Sequence, residues 1–257
     1  IALFFLTVLT PHIVFIYRMD MKLSRGIIFL TMVFTLASIT PAYTEELPIV
    51  ITESLQTEIS VDIDSPVWEK VKHLTIPLSS QIFEDPKASL LPKKRTTVRS
   101  LSVKSVNNGQ IIAFLLEWED ATKDLNQQGI DTFMDAAALQ FPANNTIDSE
   151  IVPSFTMGNA GSPVSIWHWK GGRDSVDVLM AEGFGTLTHQ SSMDVKGNGV
   201  WHNGRWKVVF SKRMNGKDGV VFIKGKSLFI AFAIWDGSNM ERDGQKSITT
   251  WYRLKVE

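Results

Sequence analysis

Any chemistry in this chain must come from tryptophan, histidine, methionine and the charged side chains, because it contains no cysteine. That removes disulfides, zinc–thiolate centres, iron–sulfur ligation and thioether attachment of a haem. His73, His168, His189 and His202 are scattered, without H-x-x-x-H or H-E-x-x-H spacing, so a zinc site has little support. No G-x-S-x-G, Walker or dinucleotide fingerprint occurs, and carboxylates such as Glu117, Glu119 and Asp120 single out no catalytic pair. Of the eight tryptophans, Trp118, Trp167, Trp169, Trp201, Trp206 and Trp235 fall on or beside expected strands, where core packing is their ordinary use. Trp167 and Trp169 share a strand face, with His168 on the other. Such an aromatic pair would suit a flat ligand, either a sugar or a porphyrin.

The elements that must position these residues are strands. Ile112, Phe114, Leu116 and Trp118 alternate along 111–118, and Asn108-Gly109 just before them signals a hairpin from a strand at 96–106. Further strands are expected at 74–78, 135–141, 164–169, 206–213, 228–235 and 247–255, with Asn203-Gly204 and Asn215-Gly216 as turns. Short alternating runs between turn dipeptides, without a helix longer than a few turns, predict an all-β chain folded as an antiparallel β-sandwich. Long loops are expected at 85–95 and 144–161, and loops of that length are usually functional or disordered. The second contains a sequon, Asn144-Asn145-Thr146, and Phe155-Thr156-Met157-Gly158.

Net charge is −1, so no long-range positive field exists to attract nucleic acid. Residues 1–42 read as a leader. Met21-Lys22-Leu23-Ser24-Arg25 forms a positive region, 26–39 an apolar one, and Thr40-Pro41-Ala42 a small-residue cleavage site. Met19 or Met21 is the expected true start, leaving 43–257 as one exported domain. An uncleaved N-terminal anchor is the alternative, although neither apolar run reaches the ~20 residues that span a bilayer comfortably.

Two stretches carry a resemblance. The run from Phe155-Thr156-Met157-Gly158 through Trp167-His168-Trp169 resembles the haem-binding segment of the ethylbenzene dehydrogenase γ-subunit family. The run from Phe232 through Trp235-Asp236-Gly237-Ser238 to Gln245-Lys246-Ser247 is similar to that family's C-terminal motif. Pro66-Val67-Trp68-Glu69, Leu116-Glu117-Trp118-Glu119-Asp120, Ala138-Leu139-Gln140-Phe141-Pro142 and Gly204-Arg205-Trp206-Lys207 add matches in order along the chain.

The resemblance implies a sandwich with long haem-binding loops and one b-type haem held by a methionine and a lysine, carried onto Met157 and Lys246. Without cysteine the haem would be non-covalent. Phe155, Trp167, Trp169, Trp235 and Trp251 would be its packing neighbours, and Arg242 would suit a propionate. The implied role is electron relay, not catalysis. Partners would be the iron–sulfur β-subunit and molybdenum catalytic α-subunit of a periplasmic oxidoreductase, of the nitrite oxidoreductase, ethylbenzene dehydrogenase or selenate/chlorate reductase type, and a soluble c-type cytochrome. The competing expectation is an exported carbohydrate-binding β-sandwich.

Overall fold

The computed structural model describes residues 7–9, 12–23, 26–35, 47–59, 62–81, 95–126, 129, 131–143, 152–191, 194–216 and 219–257. It divides into two units, Ile1–Glu46 and Leu47–Glu257. In the first, β1 (Thr7–Leu9), β2 (His12–Leu23) and β3 (Gly26–Thr35) pair antiparallel. The expected cleavage site at 40–42, the sequon and most of the 85–95 loop lie outside the described residues.

The second unit begins with β4 (Ile49–Ser54) and a single helical turn, α1 (Val67–Lys70). Next come β5 (Leu74–Pro77), β6 (Ser79–Ser80), β7 (Ser100–Asn107), β8 (Ile111–Glu119) and β9 (Ala136–Pro142). They are followed by β10 (Val164–Lys170), β11 (Val176–Ala181), β12 (Thr188–His189), β13 (Lys196–His202) and β14 (Arg205–Arg213). The last three are β15 (Ser227–Trp235), β16 (Ser247–Ile248) and β17 (Tyr252–Val256). The hydrogen-bonded path runs β12-β11-β10-β9-β15-β17-β4-β7-β8-β14-β13. Every join is antiparallel except the two at β4, which pairs parallel with both β17 and β7.

The two arms of this path face one another across the principal core. Phe114 of β8 meets Phe141 of β9 and Trp167 of β10 at 6.2 and 6.3 Å between ring centroids, and Trp169 meets Trp206 of β14 at 5.1 Å. These distances suit edge-on and tilted aromatic packing. The all-β sandwich expected from the alternation is therefore present.

Strand parity gives the β9–β10–β15 arm a second, outer face. Ala137, Leu139 and Phe141 of β9, Trp167 and Trp169 of β10, and Ile230, Phe232 and Ile234 of β15 point into the principal core. Ala136 and Ala138, Val164 and Ile166, and Ala231 and Trp235 belong instead to a separate cluster with Leu179, Ala181 and Trp251. Ala138 stands opposite His168 on one side and Ala233 on the other; Ala136 stands opposite Lys170 and Trp235. The centre of this face is thus floored by alanines with larger side chains around them.

The expected strand at 247–255 divides into β16 and β17. Thr249 sits between them, its N–H donating to the Phe232 carbonyl and its hydroxyl accepting from the Phe232 N–H. β4, β11 and β13 were not anticipated. β13, Lys-Gly-Asn-Gly-Val-Trp-His, has the composition of a loop, yet a Cβ on Gly199 would lie 2.2 Å from the Trp169 ring. Glycine here makes room for a core tryptophan, an ordinary reason for its presence in a strand.

Candidate functional site

A cavity of about 560 Å3 opens on the outer, alanine-floored face. That volume is in the range of sites for cofactor-sized ligands. Its walls include Met157, Ile166, His168, Leu179, Trp235, Arg242 and Lys246. A smaller pocket beside it shares Met157, Ile166, Trp235 and Lys246 and adds Ala138, Ala233 and Phe155. Met157 and Lys246, 89 residues apart in sequence, thus border the same space.

Met157 is delivered by a loop fastened at both flanks. Trp251 donates its indole N–H to the Pro153 carbonyl at 2.7 Å, and the Gln140 amide donates to the Phe155 carbonyl at 2.9 Å. Met157 itself has φ 84°, a left-handed conformation uncommon for a side-chain-bearing residue. Its carbonyl accepts from Gly183 N–H, and the next residue, Gly158, donates to Ser154 O, both at 2.8 Å. A Cβ on Gly158 would lie 2.8 and 2.9 Å from the carbonyls of Ser162 and Ala181, so only glycine allows the loop to sit this close to β10 and β11. Strained backbone held by its surroundings is a common mark of a functional position.

Lys246 ends the loop that starts at Asp236. The carboxylate of Glu241 organises this loop, accepting from the N–H groups of Asp236 and Thr97 and from the Asn239 amide. At the far end the Lys246 carbonyl accepts from Gln81 N–H at 3.0 Å. The Lys246 side chain is buried, and its Nζ lies 4.9 Å from the Trp235 ring centroid. Burial pushes its pKa down to about 8, with Asp243 opposing the shift. A lysine so placed gives up its proton far more readily than an exposed one.

His168 also faces the cavity. Its ring centroid is 4.9 Å from that of Trp235, and its Nε2 is buried with no hydrogen-bond partner among the described residues. Burial first, then the charges of Lys170, Lys246, Arg173 and His189, push its pKa down to about 3, so the imidazole is neutral. Arg242 lies on the rim with its guanidinium 4.5 Å from the Phe133 ring centroid and donates to the Met240 carbonyl.

The residues anticipated from sequence divide as follows. Met157, Lys246, Trp235, Arg242 and Phe155 line the cavity or the adjoining pocket. Trp251 is not a wall residue; it underlies the site and anchors the Met157 loop. Trp167 and Trp169 require correction. Both are fully buried in the principal core, because β10 turns its even-numbered residues outward, and they form neither a porphyrin wall nor an exposed sugar platform. His168 takes their place at the cavity. The signals that could have located it were the parity it shares with Ile166 and the small residues Ala136 and Ala138 of β9 opposite, with Ala231 and Ala233 of β15 beyond them.

Nearby, Asp120, Asp135 and Asp236 bring one carboxylate oxygen each to within 4.8 Å of one another. All three are buried, and burial raises Asp135 to about 7.

Comparison with known proteins adds the following. The family described as ethylbenzene dehydrogenase matches residues 65–191 and 183–247. The chain is 33% identical over 192 residues to a Haloferax mediterranei protein named as a respiratory nitrate reductase heme subunit, covering 74% of this chain and 66% of that one. It is 32% identical to the chlorate reductase subunit gamma of Ideonella dechloratans, over 61% of this chain and 65% of the relative. It is 27% identical to the dimethylsulfide dehydrogenase subunit gamma of Rhodovulum sulfidophilum, over 80% and 78%. The chain thus spans just under two thirds of the first two relatives. Among solved structures, a family 9 carbohydrate binding module from Caldicellulosiruptor kristjanssonii in complex with glucose aligns with TM-score 0.49 and 10% identity, over 81% of this chain and 95% of the module.

Proposed function

The chain belongs to the ethylbenzene dehydrogenase family, and from that premise we propose that it is the haem-carrying, electron-transfer γ-subunit of a molybdenum oxidoreductase. The reading assigns it one non-covalent haem b in the cavity, with Met157 and Lys246 as axial ligands. The observation that carries this assignment is that these two residues, supplied by separate loops, line the same cavity on an alanine floor.

The donor set suits the group. Met157 offers a neutral, soft sulfur at an apolar wall, and Lys246 a buried amine with no hydrogen bond among the described residues and a lowered proton affinity. Trp235, Ile166 and Leu179 exclude water from the apolar side, while Arg242 at the rim matches carboxylate geometry. Bound haem supplies one-electron redox chemistry at its iron, and methionine ligation tends to raise its potential. With both residues bound to the iron no coordination position would remain open, so the subunit would pass electrons while the substrate reaction belongs to another chain.

On this reading the partners are an iron–sulfur subunit and a molybdenum catalytic subunit, with a soluble c-type cytochrome as the exchange partner, in an extracytoplasmic compartment reached through the 1–42 leader. The parent complex is of the nitrite oxidoreductase, ethylbenzene dehydrogenase or selenate/chlorate reductase type. Titration of the apoprotein with haemin tests it. One equivalent should bind, and the reduced protein should then be oxidised on rapid mixing with a ferric c-type cytochrome. A protein that takes up no haem contradicts the proposal.

A further inference from the structure

Asp120 directly follows β8, Asp135 directly precedes β9, and Asp236 directly follows β15, so three strands deliver three carboxylates to one point. Asp135 is 0% exposed and the other two 6%. None of the three forms a salt bridge among the described residues. Donors from the surrounding backbone and side chains hold most of the oxygens in place. Asp135 accepts from the N–H groups of Asp124 and Gly237 and from the Trp206 indole. Asp236 accepts from Ser238, Asn239 and the Thr97 hydroxyl. Asp120 accepts from Thr122 through Oδ1, but its Oδ2 is buried and has no hydrogen-bond partner among the described residues. A buried carboxylate oxygen without a partner, beside two further buried carboxylates, lacks the compensation that buried charge requires.

We propose that Asp120, Asp135 and Asp236 bind one hard divalent cation, calcium by preference, with Asp120 Oδ2 among its ligands. The donors are all oxygen, with no imidazole or thiolate in the cluster, which selects against zinc and copper. Oxygens placed ~2.3–2.6 Å from a calcium ion lie at most about 5 Å apart, and the three carboxylate oxygens all lie within 4.8 Å of one another. Calcium also tolerates irregular coordination better than magnesium, which suits carboxylates already fixed by other hydrogen bonds. Bound there, the cation ties the ends of β8, β9 and β15 together and anchors the start of the 236–246 loop. The proposal stands independently of the haem assignment.

The test uses the full purified chain. After calcium loading and dialysis, elemental analysis should find one calcium per chain. Addition of about 1 mM calcium to chelator-stripped protein should raise the unfolding temperature by about 5 °C, with a smaller response to magnesium. Terbium should show emission sensitised by the neighbouring Trp206 and displaced by calcium. Asp120→Asn should abolish all three responses; should that variant fail to fold, the wild-type measurements decide alone. Wild-type protein that retains no metal and ignores calcium and terbium overturns the proposal. So does an Asp120→Asn variant that keeps the calcium response intact.

Discussion

The amine of Lys246 lies 4.9 Å from the centroid of the Trp235 ring, on the wall of the cavity that Met157 also lines. The contact places a cationic group on an aromatic face, while burial disfavours its charge. The pocket therefore holds a nitrogen that loses its proton far more readily than an exposed lysine.

This sets a pH dependence for the apoprotein. The folded-state pKa of Lys246 is about 8 against the ordinary 10.5, so between those values the unfolded chain binds more protons than the native one. Stability contributed by this site rises with pH across that window, by roughly 3 kcal/mol at most, and is flat below it. Denaturant titrations between pH 7 and 10.5 should show the gain in wild type and its loss in Lys246→Met. Haemin affinity should likewise fall about tenfold per pH unit below 8, as the proton competes with iron for the amine.

His168 gives a second dependence in the acid range. Its folded-state pKa of about 3 lies below the ordinary 6.5, so acidification through that interval favours the unfolded chain, which can take the proton. Replacement by leucine should flatten the stability profile between pH 6.5 and 4 relative to wild type. Equal acid sensitivity in the two proteins would show that the imidazole is solvated.

Gly158→Ala should disturb the Met157 loop. A methyl group there meets two backbone carbonyls closer than 3 Å at φ 72°, a clash with strain of about 1–3 kcal/mol. Chemical denaturation should register that cost, and haemin affinity should fall with it because Met157 is displaced.

Ala138→Leu addresses the floor. Ala138 lines the pocket beside the main cavity, and a larger side chain would occupy the space above β9. Haemin binding should weaken at least about 100-fold, with circular dichroism checking that the strands are retained despite the added bulk. Unchanged affinity would place the ligand elsewhere.

Alternation made the sandwich legible, because Ile112, Phe114, Leu116 and Trp118 could only face one core. The motif likeness singled out Met157 and Lys246, which border one cavity although no local spacing connects them. The face of β10 was misread: two tryptophans are the most conspicuous aromatic pair in the sequence, but parity buries both and leaves Ile166 and His168 at the cavity. β13 was missed because its glycines look like a turn until the Trp169 ring they accommodate is in place. The aspartate cluster was invisible for a related reason, its members being brought together only by the ends of three strands.

The most direct test of the central claim is the absorption spectrum of haem-loaded wild type beside Met157→Ala and Lys246→Ala. Ligation by both residues predicts a low-spin, six-coordinate b-type spectrum for wild type, and conversion to a high-spin, five-coordinate form in each single variant with the fold intact. Retention of the wild-type spectrum in either variant would contradict the assignment of that residue as an iron ligand.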